Sequence, residues 1–184
     1  MKTHLRKRRG LTLVELVVVM AIASTLLALS APSLTTAVRN SQLRSATSTF
    51  VASLHLVRTQ ALLRGSTVAM CKSADGLGCS AHGGWQQGWL VFHDPNANGR
   101  PDPGEALLHR GEPLEDDLVV TGNQPVARVI AFSTLGGPLG AGGGMLAGTV
   151  TVCRRSFEQG PARTIVLAAG GRARVQESSV SSCG

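Results

Sequence analysis

Residues 11–31 read LTLVELVVVMAIASTLLALSA, and 16 of these 21 positions are apolar. A helix rises 1.5 Å per residue, so about 20 apolar residues span a hydrocarbon layer roughly 30 Å thick. Before the run come Lys2, Arg6, Lys7, Arg8 and Arg9 with no acid among them. Such a basic leader is expected to stay on the cytoplasmic side and send the rest of the chain across the membrane. A secretory signal peptide has the same outline. Here, however, Leu29 would occupy the outer small-residue position of a cleavage site ending at Ala31, and Glu15 interrupts the apolar run. A carboxylate in hydrocarbon costs roughly 2–4 kcal/mol, so it calls for a partner.

The rest of the chain is weakly charged overall. The 184 residues carry 18 Lys plus Arg against 11 Asp plus Glu, a net +7. Five of those bases lie in residues 1–10. Residues 30–72 hold five bases and no acid, residues 73–117 two bases against eight acids, and residues 118–184 six arginines against Glu158 and Glu177. The basicity therefore comes in stripes. Aromatics make up 3% of the chain and Tyr is absent, which argues against a base-stacking surface for single strands. A hydrophobic content of 43% excludes wholesale disorder.

Beyond the apolar run the helical pattern continues through Pro32, where a kink is expected. Phe50, Leu54, Val57 and Ala61 then form one apolar stripe, and Arg64-Gly65 supplies a basic last turn and a glycine stop. A helix from Leu11 to Arg64 would be about 80 Å long. After Gly65 the pattern changes to short β-type runs. These are 67–71, 89–93, 106–109, 118–121, 128–132, 148–153, 164–168 and 172–176. The glycine-rich stretch 136–144 lacks the Lys-Ser/Thr ending of a phosphate loop and is expected to be a flexible connection. The chain thus divides into a leader (1–10), a membrane-spanning half-helix (11–31), an amphipathic half-helix (32–65) and a β head (66–184). The fold class is α+β.

The segment RRG-LTLVE resembles the type III signal of type IV pilins and pseudopilins. That resemblance implies cleavage by a prepilin peptidase between Gly10 and Leu11, and methylation of the new N-terminus. The family more often has Phe where Leu11 stands. It also implies that Glu15 pairs with the N-terminus of a neighbouring subunit during assembly. Within this group, WQQGWLVFHDPNANGRPDPGE (Trp85–Glu105) followed by Gly171-Arg172-Ala173-Arg174 is similar to the GspH/FimT family of minor pilins and pseudopilins. The resemblance implies a long N-terminal helix packed on a head of antiparallel β-sheets. It places the chain in the bacterial inner membrane before assembly, and in the periplasm and pilus filament after it. Other pilins and the assembly machinery are the partners so implied.

Cys71, Cys79, Cys153 and Cys183 are an even set in an exported head, which points to disulfides. Of three pairings, Cys71–Cys79 and Cys153–Cys183 are favoured. A zinc site from Cys71, Cys79, His82 and His93 has no standard spacing. The loop from Asp94 to Glu105 matches a calcium loop formally, with Asp94, Asn96, Asn98, Asp102 and Glu105 as oxygen donors and a carbonyl from Arg100. Its three prolines and abundance of turn-forming residues also fit a plain hairpin turn, so calcium is the lesser of the two readings and no other cofactor is expected.

Along a strand, Arg172 and Arg174 share a face, and two parallel guanidinium groups suit consecutive phosphates. Ala173 and Val175 are expected to face inward, Gly170-Gly171 to let a bulky ligand approach, and Arg154, Arg155 and Arg163 to extend the patch. The Gly-Arg-x-Arg strand is similar to the DNA-binding motif of FimT-type minor pilins, which implies non-specific binding of double-stranded DNA for uptake in natural transformation. Paired arginines on an edge strand also block edge-to-edge aggregation. The competing expectation is therefore a purely structural minor pilin or type II secretion pseudopilin that primes or caps a filament. No catalytic constellation is present, because the five histidines accompany no nucleophile motif.

Overall fold

The computed structural model describes residues 12–140, 144–156 and 159–183, with the side chains of 26–33 excepted. Gly10 and Leu11 lie outside these residues. Two compact units are formed, Met1–Ser41 and Gln42–Gly184.

One helix, α1 (Leu13–Arg64), begins at a cap the sequence spells out. Thr12 Oγ1 accepts a hydrogen bond from the Glu15 N–H at 3.2 Å, the first half of a Thr-x-x-Glu capping box. Glu15 itself is exposed. In the first unit, the large apolar side chains from Leu13 to Met20, together with Ile22, Leu34 and Val38, are all exposed. Among the described residues no helix is long and apolar enough to cross a membrane. Residues 26–31 of the apolar run fall among those whose side chains are not described.

In the second unit α1 buries Leu43, Ala46, Phe50, Leu54, Val57 and Ala61. This is the expected stripe, extended two positions toward the N-terminus at helical spacing. The helix stops at Gly65, whose φ of +58° is left-handed and ends the turn without a Cβ penalty.

Among the described residues nine strands follow: β1 (Val68–Lys72), β2 (Trp89–His93), β3 (Leu107–Gly111), β4 (Leu118–Gly122), β5 (Val129–Phe132), β6 (Pro138–Leu139), β7 (Gly148–Arg154), β8 (Gly160–Leu167) and β9 (Ala173–Val180). They form two antiparallel sheets, ordered β3-β2-β1-β5-β6 and β4-β7-β8-β9. The glycine-rich stretch is only partly an open connection. Pro138 and Leu139 pair with Phe132 and Ala131, because a tight turn closed by Gly136 N–H to Ser133 O at 2.9 Å folds the chain back. Residues 141–143 lie outside the described residues.

The helix stripe and the inner faces of both sheets share one core. Alternation places Val68 and Met70, Trp89 and Val91, Ile130 and Phe132, Val150 and Val152, and Ile165 and Leu167 against it. The Trp85–Trp89 segment wedges this core. Phe50 meets the two indoles edge-on, at centroid distances of 5.4 and 5.5 Å. Each indole N–H finds an acceptor, Trp85 on Val126 O (3.1 Å) and Trp89 on Ser53 Oγ (3.0 Å).

The opposite faces carry smaller apolar clusters. One groups Ala69, Cys71, Leu90, Phe92 and Ala131, and the other Val119, Cys153, Ala162 and Cys183. Both disulfides sit there. Cys71–Cys79 ties a short loop over the first sheet, and Cys153–Cys183 ties the C-terminal tail over the second.

Candidate functional site

Strands β8 and β9 are joined through Ala169-Gly170-Gly171. The Gly171 N–H donates to Ala168 O (2.8 Å), and the Ala168 N–H donates to Arg172 O (3.0 Å). Gly171 has φ +77°, as the last residue of a three-residue hairpin loop requires. It is buried, and a Cβ added there would collide with the carbonyl oxygen of Gly136. Gly171 therefore serves the close approach of two turns within the protein, which corrects the expectation at that residue, whereas a Cβ at Gly170 would meet nothing within 4 Å among the described residues.

Arg172 is the first residue past this turn and precedes β9, while Arg174 lies within it, paired with Val166. Both side chains are exposed. Arg174 lies on the outermost strand of the second sheet, and Arg172 stands two positions before it, just outside that strand. Among the described residues neither has an ion-pair partner. Ala173 packs against the core. Val175 does not bury. It lies opposite Ile165 in register yet is 43% exposed at the edge of the sheet.

The remaining arginines behave differently. Arg154, at the end of β7, forms ion pairs with Asp117 and, at 3.6 Å, with Glu115, and it hydrogen-bonds Gln42 Oε1. Arg163 donates to Glu177 Oε1 at 2.8 Å, and the same carboxylate lies 3.9 Å from Arg44. These two guanidinium groups are neutralised and mostly covered, with side chains 20% and 16% exposed. They do not extend a free cationic patch. The acidic middle segment supplies two of Arg154's partners, Glu115 and Asp117. Arg155 stays exposed, its backbone N–H held by Asp117 O at 2.7 Å.

In the Asp94–Glu105 loop the acceptors are spent on the loop itself. Asp94 is fully buried, and its two carboxylate oxygens accept the N–H groups of Asn98 (3.0 Å) and Gly99 (2.9 Å). Asn96 and Asn98 both donate to Asp102 Oδ2, at 2.8 and 2.6 Å, and Asn98 Oδ1 accepts the Arg100 N–H at 2.8 Å. Glu105 Oε2 accepts the Asp102 N–H at 2.9 Å. This network is what an Asx-rich turn needs for its own stability. Among the described residues no three His, Cys, Asp or Glu side chains gather in one cluster.

Two positions stand outside the expected site residues. Arg58, on α1, donates to the carbonyls of Gly171 (3.2 Å) and Gly170 (3.4 Å) and so touches the basic turn directly. Lys72 is buried and donates from Nζ to Gly83 O at 2.6 Å. Burial, and then the nearby Arg128 charge, lower its pKa below the ordinary lysine value. Neither signal shows in a linear pattern, since each depends on partners brought together by folding.

Comparison with known proteins agrees with this architecture. The family described as type II transport protein GspH matches residues 46–171, and the prokaryotic N-terminal methylation motif matches residues 5–31. The pilin-like protein PilA1 of Thermus thermophilus is 30% identical over 177 residues, covering 92% of this chain and 99% of that protein. The type IV minor pilin FimU of Pseudomonas aeruginosa superposes with a TM-score of 0.58 at 16% identity, over 79% of this chain and 97% of that one. A second crystal form of FimU gives 0.56 at 16% identity, over 77% and 100%. At that identity the likeness concerns the fold alone. With the head, the N-terminal motif and a full-length relative all in agreement, the chain belongs to the GspH/FimT-type minor pilins and pseudopilins.

Proposed function

We propose that this minor pilin binds double-stranded DNA without sequence preference, through Arg172 and Arg174, and serves DNA uptake in natural transformation. The observation that carries the reading is the contrast among its arginines. Arg154 and Arg163 are held by carboxylates, whereas Arg172 and Arg174 stand exposed, two positions apart and without an acidic partner among the described residues. Guanidinium groups so placed meet phosphate oxygens by charge and by bidentate geometry. Contacts to phosphates position a duplex but do not read its bases. In this reading the chain is a binding and structural subunit, not a catalyst.

Assembly is part of the same proposal. A prepilin peptidase cuts after Gly10, Leu11 becomes the methylated N-terminus, and residues 11–31 anchor the subunit in the inner membrane until it enters the filament. The exposed apolar side chains of Leu13–Ile22 support this, because they need lipid or neighbouring helices to cover them. Glu15, exposed in the first turn, is free to meet the terminal amine of a neighbour.

The test is a mobility shift of the full chain in detergent with a DNA duplex. The apparent affinity should fall steeply with salt, and Arg172→Ala/Arg174→Ala should remove the shift while circular dichroism stays unchanged. A normal shift by that variant would sink the DNA reading. The exposed arginine pair on an edge strand would then be a guard against edge pairing, and the chain a purely structural pilin or pseudopilin that primes or caps its filament.

A further inference from the structure

The hairpin carrying Arg172 and Arg174 is fastened by the helix. Arg58 reaches from α1 and places one guanidinium nitrogen on Gly171 O (3.2 Å) and another on Gly170 O (3.4 Å). It passes between two left-handed glycines, Gly136 (φ +74°) and Gly171 (φ +77°). A Cβ on Gly136 would lie 3.0 Å from Arg58 Nε, and one on Gly171 would lie 3.2 Å from it. The Gly136 carbonyl oxygen crowds the same Cβ position of Gly171. At this one side chain three elements meet: the helix, the β5–β6 turn of the first sheet and the β8–β9 turn of the second.

We infer that Arg58 is a positioning residue for the phosphate-binding pair. It locks the Gly170–Gly171 turn so that Arg172, immediately after the turn, keeps a fixed spacing to Arg174 in the strand. The inference rests on the DNA reading proposed above. Arg174 is held by its pairing with Val166, but Arg172 lies outside the strand and takes its direction from the turn. Two guanidinium groups that must meet consecutive phosphates gain by being ordered before the ligand arrives, since that ordering cost is then not charged to binding. Arg58 is half-buried and turned toward the protein, so it does not itself reach the duplex.

Fluorescence anisotropy of the detergent-solubilised full chain with a labelled duplex tests this in a cycle of Arg58→Met and Arg172→Ala. Arg58→Met alone should weaken binding about tenfold, and in the Arg172→Ala background it should have little further effect, because the residue it positions is gone. Hydrogen exchange should quicken at the Ala168 and Gly171 amides of Arg58→Met and stay unchanged at Val150 and Ile165. Wild-type affinity in Arg58→Met, or an equal loss in both backgrounds, would overturn the positioning role and leave the DNA reading standing. Normal binding by Arg172→Ala/Arg174→Ala would instead bring down the DNA reading, and this inference with it. If Arg58→Met does not fold, Arg58→Lys, whose single amine reaches one carbonyl instead of two, takes its place in the same cycle with the same outcomes.

Discussion

The indole N–H of Trp89 donates to the hydroxyl of Ser53 across 3.0 Å, and both groups are buried where the helix meets the first sheet. Ser53 also donates to Thr49 O at 3.1 Å, so its hydroxyl is used in both senses. The pair orients the Trp89 ring, against whose face Gly111 of the neighbouring strand packs so closely that a Cβ there would overlap the ring.

Replacing Ser53 with Ala leaves a buried indole N–H without its acceptor. The expected cost is about 1–3 kcal/mol, measured by denaturant unfolding followed through tryptophan emission. A variant as stable as the parent would mean that another acceptor or a water serves Trp89 equally well.

The Cys153–Cys183 bridge closes a loop across a sequence separation of 30 and holds the C-terminal tail over the outer cluster of Val119 and Ala162. Cys153→Ser/Cys183→Ser should lower stability by about 2–4 kcal/mol. Unfolding curves with and without reductant provide the check. The reductant should shift the parent further than it shifts this variant, which retains only Cys71–Cys79.

Asp75 sits in the loop closed by Cys71–Cys79. The N–H groups of Leu77 (2.9 Å) and Gly78 (3.2 Å) bond its carboxylate and hold its pKa below the ordinary 3.8, with Ser73 Oγ donating a further hydrogen bond. A carboxyl whose pKa is depressed on folding contributes stability above its ordinary value and loses it as pH falls through the folded value. The stability gap between the parent and Asp75→Asn should therefore be constant at neutral pH and shrink below about pH 4. Melting temperatures across that range decide it, and a gap independent of pH would contradict the account.

Arg154 and Arg172 should separate in their response to salt if DNA is the ligand. Arg172→Ala should reduce the slope of log affinity against log salt by about 0.9, as expected when one phosphate fewer is neutralised. Arg154→Ala should leave that slope alone and cost about 1 kcal/mol of stability or less, because Glu115 and Asp117 are half-exposed and screened. Equal changes in slope would show that Arg154's ion pairs open on binding.

Much of the architecture was legible along the chain because it follows from short-range periodicity. The spacing of Phe50, Leu54, Val57 and Ala61 marked the buried helix face, Gly65 its end, and the run Trp89–His93 became a strand with the same bounds. The pair Pro138–Leu139 was missed, since two residues among glycines carry no period, and the strand exists only through its pairing with β5.

The sequence by itself determined the helix, the strand runs, the basic leader and the even set of cysteines, because each depends on neighbours within a few residues or on composition. Only the tertiary structure decided which arginines are free. Glu177 meets Arg163 from the neighbouring strand, Asp117 and Glu115 meet Arg154, and Arg58 meets Gly171 across a separation of 113 residues. The physical reason is that charge neutralisation and Cβ collisions act over a few ångströms of space, whatever the distance along the chain. Of the five arginines that the sequence groups as one patch, two are matched by carboxylates and Arg155, Arg172 and Arg174 stay exposed, and Gly171 beside Arg172 is a packing requirement of the protein's own turns.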